Sequence, residues 1–280
     1  MPELSGSLPS SFVIQRIVIR PMSDYLQKLF GFDGQVIVVI GGTGVLGGEL
    51  CTGLAQAGAT IVVAGRSAER GHERVAKIAS LGGKASFVAV DADNRESVKE
   101  LLSSVTGAHG HVAGLVNCAG VNSPTPYFDI TDEEFDRIIR TNLTATHIAC
   151  QTFGKHMTEA GSGAILNIGS VTSYRPLSRV FTYSASKAAV LNLTQNLARE
   201  FAPSKVRVNC LCPGFFPAEQ NRKVMNEARV ASILGHTPMG RLGDAPELIG
   251  ATLLLMHPIA GSFITGEAIY VDGGFTAMTI

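Results

Sequence analysis

The run Gly41-Gly42-Thr43-Gly44-Val45-Leu46-Gly47-Gly48 follows directly on the β-branched stretch Val36–Ile40 and leads into a helical pattern. A strand that ends in a glycine-rich turn and re-enters as a helix is the setting in which such a turn binds a dinucleotide. Glycine has no Cβ, so the chain turns tightly and its backbone can approach a pyrophosphate. The helix starting near Val45 offers free N–H groups and the positive end of its dipole to an anion. Gly41, Thr43, Gly44, Val45, Leu46 and Gly47 are therefore expected around a bound cofactor.

From this turn onward, short β-branched runs alternate with longer helical patterns. The alternation predicts strands at 36–40, 60–64, 86–90, 114–117, 164–168, 207–211 and 268–271. It predicts helices near 45–57, 68–81, 95–105, 132–159, 183–202 and 246–255. Strands that are apolar throughout rather than alternating belong to parallel sheets covered on both faces. The expected fold class is α/β, a doubly wound parallel seven-stranded sheet (Rossmann fold) in a single domain. Residues 1–29 are expected as a loose, disordered arm, with Met22 as an alternative start, and residues 215–243 as a helical insertion serving as a substrate lid.

Composition narrows the function. Lys+Arg 23 balances Asp+Glu 23, and the basic residues are scattered, so a nucleic-acid partner is not expected. No apolar run is long enough to span a membrane, and the N-terminus lacks the pattern of a secretion signal. Five cysteines (Cys51, Cys118, Cys150, Cys210, Cys212), odd in number and without paired CxxC spacing, point to buried thiols in a reducing cytoplasm rather than to disulfides or a metal site. The expected partner is a small molecule, and no metal is expected.

Two further segments bear on chemistry. Strand 60–64 ends in Gly65-Arg66-Ser67, where an NAD-binding fold places a carboxylate on the ribose 2′-hydroxyl. Arg66 can instead make charge-assisted bonds to a 2′-phosphate, so NADP is favoured; use of NAD as well, or a merely solvated arginine, are the alternatives. In Tyr183-Ser184-Ala185-Ser186-Lys187, a spacing of four sets phenol and ammonium side by side on one helix face, and a neighbouring ammonium favours a phenolate. Ser170, thirteen residues before Tyr183, lies past the end of strand 164–168, at the sheet edge where such folds bind substrates.

Taken together these segments resemble the short-chain dehydrogenase/reductase family from about residue 30 to the C-terminus. Asn117-Cys118-Ala119-Gly120 stands where the family has Asn-Asn-Ala-Gly, Asp91 where an acidic residue flanks the adenine, with Ala92 next to it as a further cofactor contact, and Pro213-Gly214 with Phe216 beside the nicotinamide. The resemblance implies a catalytic tetrad of Asn142, Ser170, Tyr183 and Lys187, with Tyr183 moving the proton. It implies that Ser170 polarises the carbonyl, Lys187 assists Tyr183 and holds the ribose, and Asn142 helps to hold a relay water. It also implies Asn117, Ala119 and Gly120 as cofactor contacts and a homotetramer built on helices 132–159 and 183–202. The chain departs from the family pattern at Ile40, Val45 and Ala218, where the family carries Thr, Gly and Thr.

Within the family the closer likeness is to the sugar-acid reductase branch that includes D-mannonate oxidoreductase and gluconate 5-dehydrogenase. That implies a cation for the substrate carboxylate and several hydrogen-bonding side chains, for which Asn122, Arg175, Arg179, Gln220, Asn221 and Arg222 are the candidates. The expected reaction is reversible hydride transfer between a nicotinamide cofactor and a secondary alcohol or ketone of a sugar acid, such as fructuronate or 5-ketogluconate. A 3-oxoacyl-carrier-protein reductase and a non-catalytic NADP-sensing protein remain open as alternatives.

Overall fold

The computed structural model describes residues 23–217 and 227–278. Strands β1 (Val36–Ile40), β2 (Thr60–Gly65), β3 (Lys84–Ala89), β4 (Gly114–Asn117), β5 (Gly163–Ile168), β6 (Val206–Pro213) and β7 (Ala268–Val271) form one sheet in the order β3-β2-β1-β4-β5-β6-β7. Every adjacent pair is parallel. The helices are α1 (Asp24–Phe30), α2 (Val45–Gln56), α3 (Ala68–Ser80), α4 (Arg95–His109), α5 (Asp132–Ile139), α6 (Ala145–Ala160), α7 (Phe181–Phe201), α8 (Glu227–Gly235) and α9 (Ile249–Met256).

Strand alternation sends neighbouring side chains to opposite faces, and both faces are apolar here. Ile37, Val39, Ile61 and Val63 pack with Leu50 and Leu54 of α2, Ile78 of α3 and Leu255 of α9. Val38, Ile40, Val62 and Ala64 pack on the other side with Val98 and Leu101 of α4 and Phe153 and Met157 of α6. Each such aliphatic side chain contributes about 1.5–3 kcal/mol on burial, which is why these strands carry no polar face. The doubly wound single-domain architecture is as the sequence predicts.

Several boundaries differ. The predicted helix 132–159 is interrupted by a π-helical turn at Arg140–Thr144, which inserts one residue and turns Asn142 fully inward. Strand β3 begins at Lys84 rather than at 86, because the sheet edge tolerates its alternating exposed residues. The last predicted helix starts as a 3-10 turn, Ala245–Leu248, before α9. The expected loose arm is helical from Asp24: Ser23 caps α1, and the chain after it is tied to the body. Ile259 and Ala260 donate their N–H groups to His257 Nδ1, so Nε2 carries the proton and donates to the Gly31 carbonyl at 3.0 Å. Residues 1–22 lie outside the described residues.

One buried cation holds the far edge of the sheet. Arg207 at the start of β6 donates to the carbonyls of Leu255 (2.7 Å), Met256 (3.2 Å), His257 (3.1 Å) and Ile264 (3.3 Å), closing the end of α9. Burial lowers its pKa to about 10, so the carbonyls must compensate for lost water. Arg207→Met is expected to leave buried acceptors unpartnered and to lower the unfolding free energy by about 3 kcal/mol, read from urea titrations.

Candidate active site

In the strand order, β1 is flanked by β2 and β4, so consecutive connections leave toward opposite faces and open a crevice at the carboxyl edge. A cleft of about 900 Å³ lies there. The glycine turn forms one wall. Gly41 has φ +87°, and a Cβ on it would sit 2.5 Å from the backbone nitrogen of Ala119. A Cβ on Gly47 would come within 2.3 Å of the Gly41 carbonyl oxygen. Helix α2 begins at Gly44, which offers its N–H groups no side-chain cap, so an anion is the natural partner of that helix end.

The mouth beside β2 is cationic. Arg66, Arg70, Arg74 and Lys77 line it, three of them spaced along the same side of α3. Glu49 accepts from Arg74 at 3.0 Å and from Lys77 at 2.8 Å, and these cations hold its carboxyl below the ordinary range against the opposing effect of burial. Thr43 packs against Gly65, where a Cβ would lie 2.7 Å from the Thr43 hydroxyl. Opposite stand Asp91 and Asp93. Their hydrogen bond raises the Asp91 pKa above its usual value, with burial adding to the effect and Arg66 opposing it.

At the other end Ser170, Tyr183 and Lys187 line the same cleft. Ser170 Oγ accepts from the Thr172 N–H at 3.2 Å, which leaves its own hydrogen to donate into the cleft. Lys187 is 5% exposed; its Nζ lies 5.7 Å from the Tyr183 ring centre and donates to the Ile168 carbonyl at 2.7 Å. Ser173 Oγ donates to the Lys187 carbonyl and accepts from the Ser170 N–H, so β5 and α7 are joined through a side chain. A phenol, an ammonium and a hydroxyl converging on one point can exchange a proton with, and polarise, a carbonyl or alcohol.

The cofactor candidates Gly41, Thr43, Gly44, Val45, Leu46, Gly47, Arg66, Asp91, Ala92, Ala119, Gly120, Pro213, Gly214 and Phe216 all line this cleft, as does Asn122. Asn117 does not, which corrects that expectation. Its amide donates to Asn167 Oδ1 at 2.8 Å and to Cys150 Sγ at 3.3 Å beneath the cleft floor. Asn142 is likewise off the cleft surface and fully buried. Its Oδ1 accepts from the Val121 N–H, and its amide nitrogen donates to the Val121 carbonyl and to Ser186 Oγ, whose hydroxyl donates to the Tyr183 carbonyl. Its side chain therefore holds loop and helix together. Arg179 is exposed with φ +63°, away from the cleft, so it is not positioned as expected. Ala218, Gln220, Asn221 and Arg222 lie outside the described residues. Sequence reasoning missed Cys118, Val121 and the α3 cations; the Arg66/Arg70/Arg74/Lys77 spacing was the signal that could have found the last.

A nucleotide-sized cleft with an uncapped helix at one end and a Ser/Tyr/Lys cluster at the other defines an oxidoreductase of the doubly wound class, and its residues fit a nicotinamide dinucleotide. A family model described as Enoyl-(Acyl carrier protein) reductase matches residues 44–276. An uncharacterized oxidoreductase, UxuB, of Bacillus subtilis (strain 168) is 35% identical over 265 residues, covering 87% of this chain and 95% of its own. The 3-oxoacyl-[acyl-carrier-protein] reductase FabG of Chlamydia pneumoniae is 31% identical over 243 residues, covering 87% and 97%. A gluconate 5-dehydrogenase from Burkholderia cenocepacia J2315, solved in complex with NADP and tartrate, superposes with TM-score 0.87 at 30% identity, covering 91% of this chain and 100% of that one. The chain belongs to the short-chain dehydrogenase/reductase family and is an oxidoreductase of CH–OH groups that uses a nicotinamide cofactor.

The turn geometry makes a direct prediction. Gly47→Ala forces the Gly41 carbonyl to move, and a displacement costing about 1.4 kcal/mol weakens cofactor binding about tenfold. NADPH and NADH titrations followed by bound-nucleotide fluorescence check this, with circular dichroism confirming an intact fold.

Proposed function

We propose that the enzyme transfers hydride reversibly between NADP(H) and a secondary alcohol or ketone of a sugar acid, such as the 5-ketogluconate/gluconate or fructuronate/mannonate pair. The convergence of Ser170, Tyr183 and Lys187 at one end of a cleft with Arg66 at the other carries this reading. Arg66 supports NADP, since no carboxylate stands at the end of β2 to accept a ribose 2′-hydroxyl. The likeness to a gluconate 5-dehydrogenase solved with NADP and tartrate supports a hydroxy-acid substrate.

The nicotinamide cofactor, when bound, supplies or accepts the hydride. In the reductive direction the Tyr183 phenol gives its proton to the substrate oxygen; in the oxidative direction it takes that proton back. Ser170 donates its free hydrogen to the same oxygen and stabilises the negative charge that develops there. Lys187, with one hydrogen committed to the Ile168 carbonyl, directs its remaining donors toward the phenol and the cofactor ribose. Asn142 and Ser186 set the distance between loop and helix.

A second reading, a 3-oxoacyl-carrier-protein reductase, has specific support in the FabG relative and in Arg175, Arg179 and Arg229, cations an acidic carrier could meet. Oxidation of NADPH and NADH with 5-keto-D-gluconate, D-fructuronate and an acetoacetyl thioester separates the two. Preferred turnover of a keto acid is expected, with Arg66→Ala raising KM for NADPH far more than for NADH. Turnover of the thioester alone would sink the sugar-acid reading, and equal KM changes would sink the role of Arg66. Tyr183→Phe is expected to lower kcat by about 10³-fold while the dissociation constant for NADPH stays near the wild-type value. Substantial residual turnover would remove Tyr183 from the proton-transfer step.

A further inference from the structure

Two helix N-termini flank the cofactor end of the cleft. That of α2 carries the glycine turn, and that of α3 follows Arg66 and its cap, Ser67. Arg66 lies in the turn between β2 and α3, so the direction of its exposed side chain depends on how α3 is seated. Ile78 joins α3 to the apolar cluster that holds Leu54 and Ala55 of α2, but it stands in the last turn of α3, away from Arg66. Gly71, the other buried residue of α3, packs on the Phe87 ring of β3.

Nearer the cleft, Arg74 crosses from α3 to α2. A Cβ on Gly48 would collide with Nη2, Cζ and Nε of Arg74, so the guanidinium fills the space that a side chain at 48 would need. Its Nη1 donates to Glu49 Oε1 at 3.0 Å and to Thr52 Oγ1 at 3.4 Å, and the Thr52 hydroxyl donates to the Gly48 carbonyl at 3.0 Å. Lys77, one turn further along α3, donates to the same Glu49 oxygen at 2.8 Å. The Arg74 and Glu49 side chains are 16% and 23% exposed, so their pair is sheltered from the screening that makes surface ion pairs weak. A glycine inside a helix is destabilising relative to alanine, and Gly48 has no left-handed backbone that would require one. What its missing Cβ provides is the seat for Arg74. Gly48 adjoins Gly47, which packs on the Gly41 carbonyl, so Arg74 bears on α2 directly behind the turn.

We propose that Arg74 is a positioning residue for cofactor choice. Lodged on Gly48, it sets the spacing between the glycine turn, which meets the pyrophosphate of either nicotinamide dinucleotide, and Arg66, which meets the 2′-phosphate of NADP alone. This role rests on the NADP reading given above. A planar guanidinium that packs on one residue and bonds through its edge to others fixes two helices in distance and in tilt, which a flexible ammonium does not.

Dissociation constants of NADPH and NADH, followed by bound-nucleotide fluorescence on the whole chain, test it. The chains compared are wild type, Arg74→Met, Gly48→Ala, these two combined, Arg66→Ala, and Arg66→Ala with Arg74→Met, each first shown to melt as wild type does. Gly48→Ala displaces only the far end of a flexible side chain and keeps its charge, so it separates the seat from the charge. The expected result is that Arg74→Met and Gly48→Ala each weaken NADPH binding about tenfold and NADH binding much less. Combined, they lose no more than either alone, and in the Arg66→Ala background Arg74→Met adds no further loss. Equal losses for the two nucleotides make Arg74 a support of the fold and overturn the specificity role. Losses that add to that of Arg66→Ala overturn action through Arg66, and an NADPH affinity unchanged by Arg74→Met and by Gly48→Ala overturns any role. A wild type that binds NADH as tightly as NADPH removes the NADP reading and this role with it. A wild type that prefers NADPH, with indifferent variants, leaves that reading standing and removes Arg74 from it.

Discussion

A nearly buried ammonium governs the catalytic end of this molecule. Lys187 keeps one hydrogen bond, to the Ile168 carbonyl at the end of β5, and its remaining donors face the cleft. Removing a charge from water is costly unless its donors are met, so this corner of the fold requires polar partners. The structure responds with a compact set of contacts. A Cβ on Gly120 would lie 3.4 Å from Asn142 Oδ1 and 3.6 Å from Lys187 Nζ, which shows how closely β4, the π-helical turn and α7 converge. Ser173 and Ser186 then lock the two ends of the segment that carries Tyr183.

The π-helical turn is the device that makes this convergence possible. A regular helix through 132–159 would not direct Asn142 between the Val121 backbone and Ser186; one inserted residue does so, and Thr146 donates its hydroxyl to the Asn142 carbonyl that the widened turn sets apart. A comparable buried polar set supports the neighbouring strands, where Asn117 donates to Asn167 and Asn167 donates to Thr194 of α7. The cleft therefore rests on a floor of hydrogen-bonded polar groups. Its floor is strand edge and buried amides.

The cofactor end follows a different logic, built from backbone rather than side chains. Gly41 packs on the Ala119 backbone and Gly47 on the Gly41 carbonyl so closely that neither position accepts a methyl group, and the departures at Ile40 and Val45 leave that approach intact. Ile40 is buried in the sheet core, and Val45 is 41% exposed at the start of α2. The cations on and before α3, set against the Asp91 and Asp93 pair, line the same cleft.

The strand-turn-helix at 36–48, the two-faced apolar strands and the Tyr183/Lys187 spacing were legible from sequence because each is local: periodicity and a fixed residue separation determine which side chains share a face. That locality settled the fold class and made the glycine turn and the Tyr183/Lys187 pair legible. Only the tertiary structure decided matters that depend on distant segments meeting. It buried the side chains of Asn117 and Asn142 beneath the cleft surface, because their amides find partners on β5, α7 and the Val121 loop that no spacing in the chain foretells. It left Arg179 exposed and brought Arg229 to the loop in its place, because the path of α8 over the sheet edge, not the order of residues, determines which cation reaches Ser178.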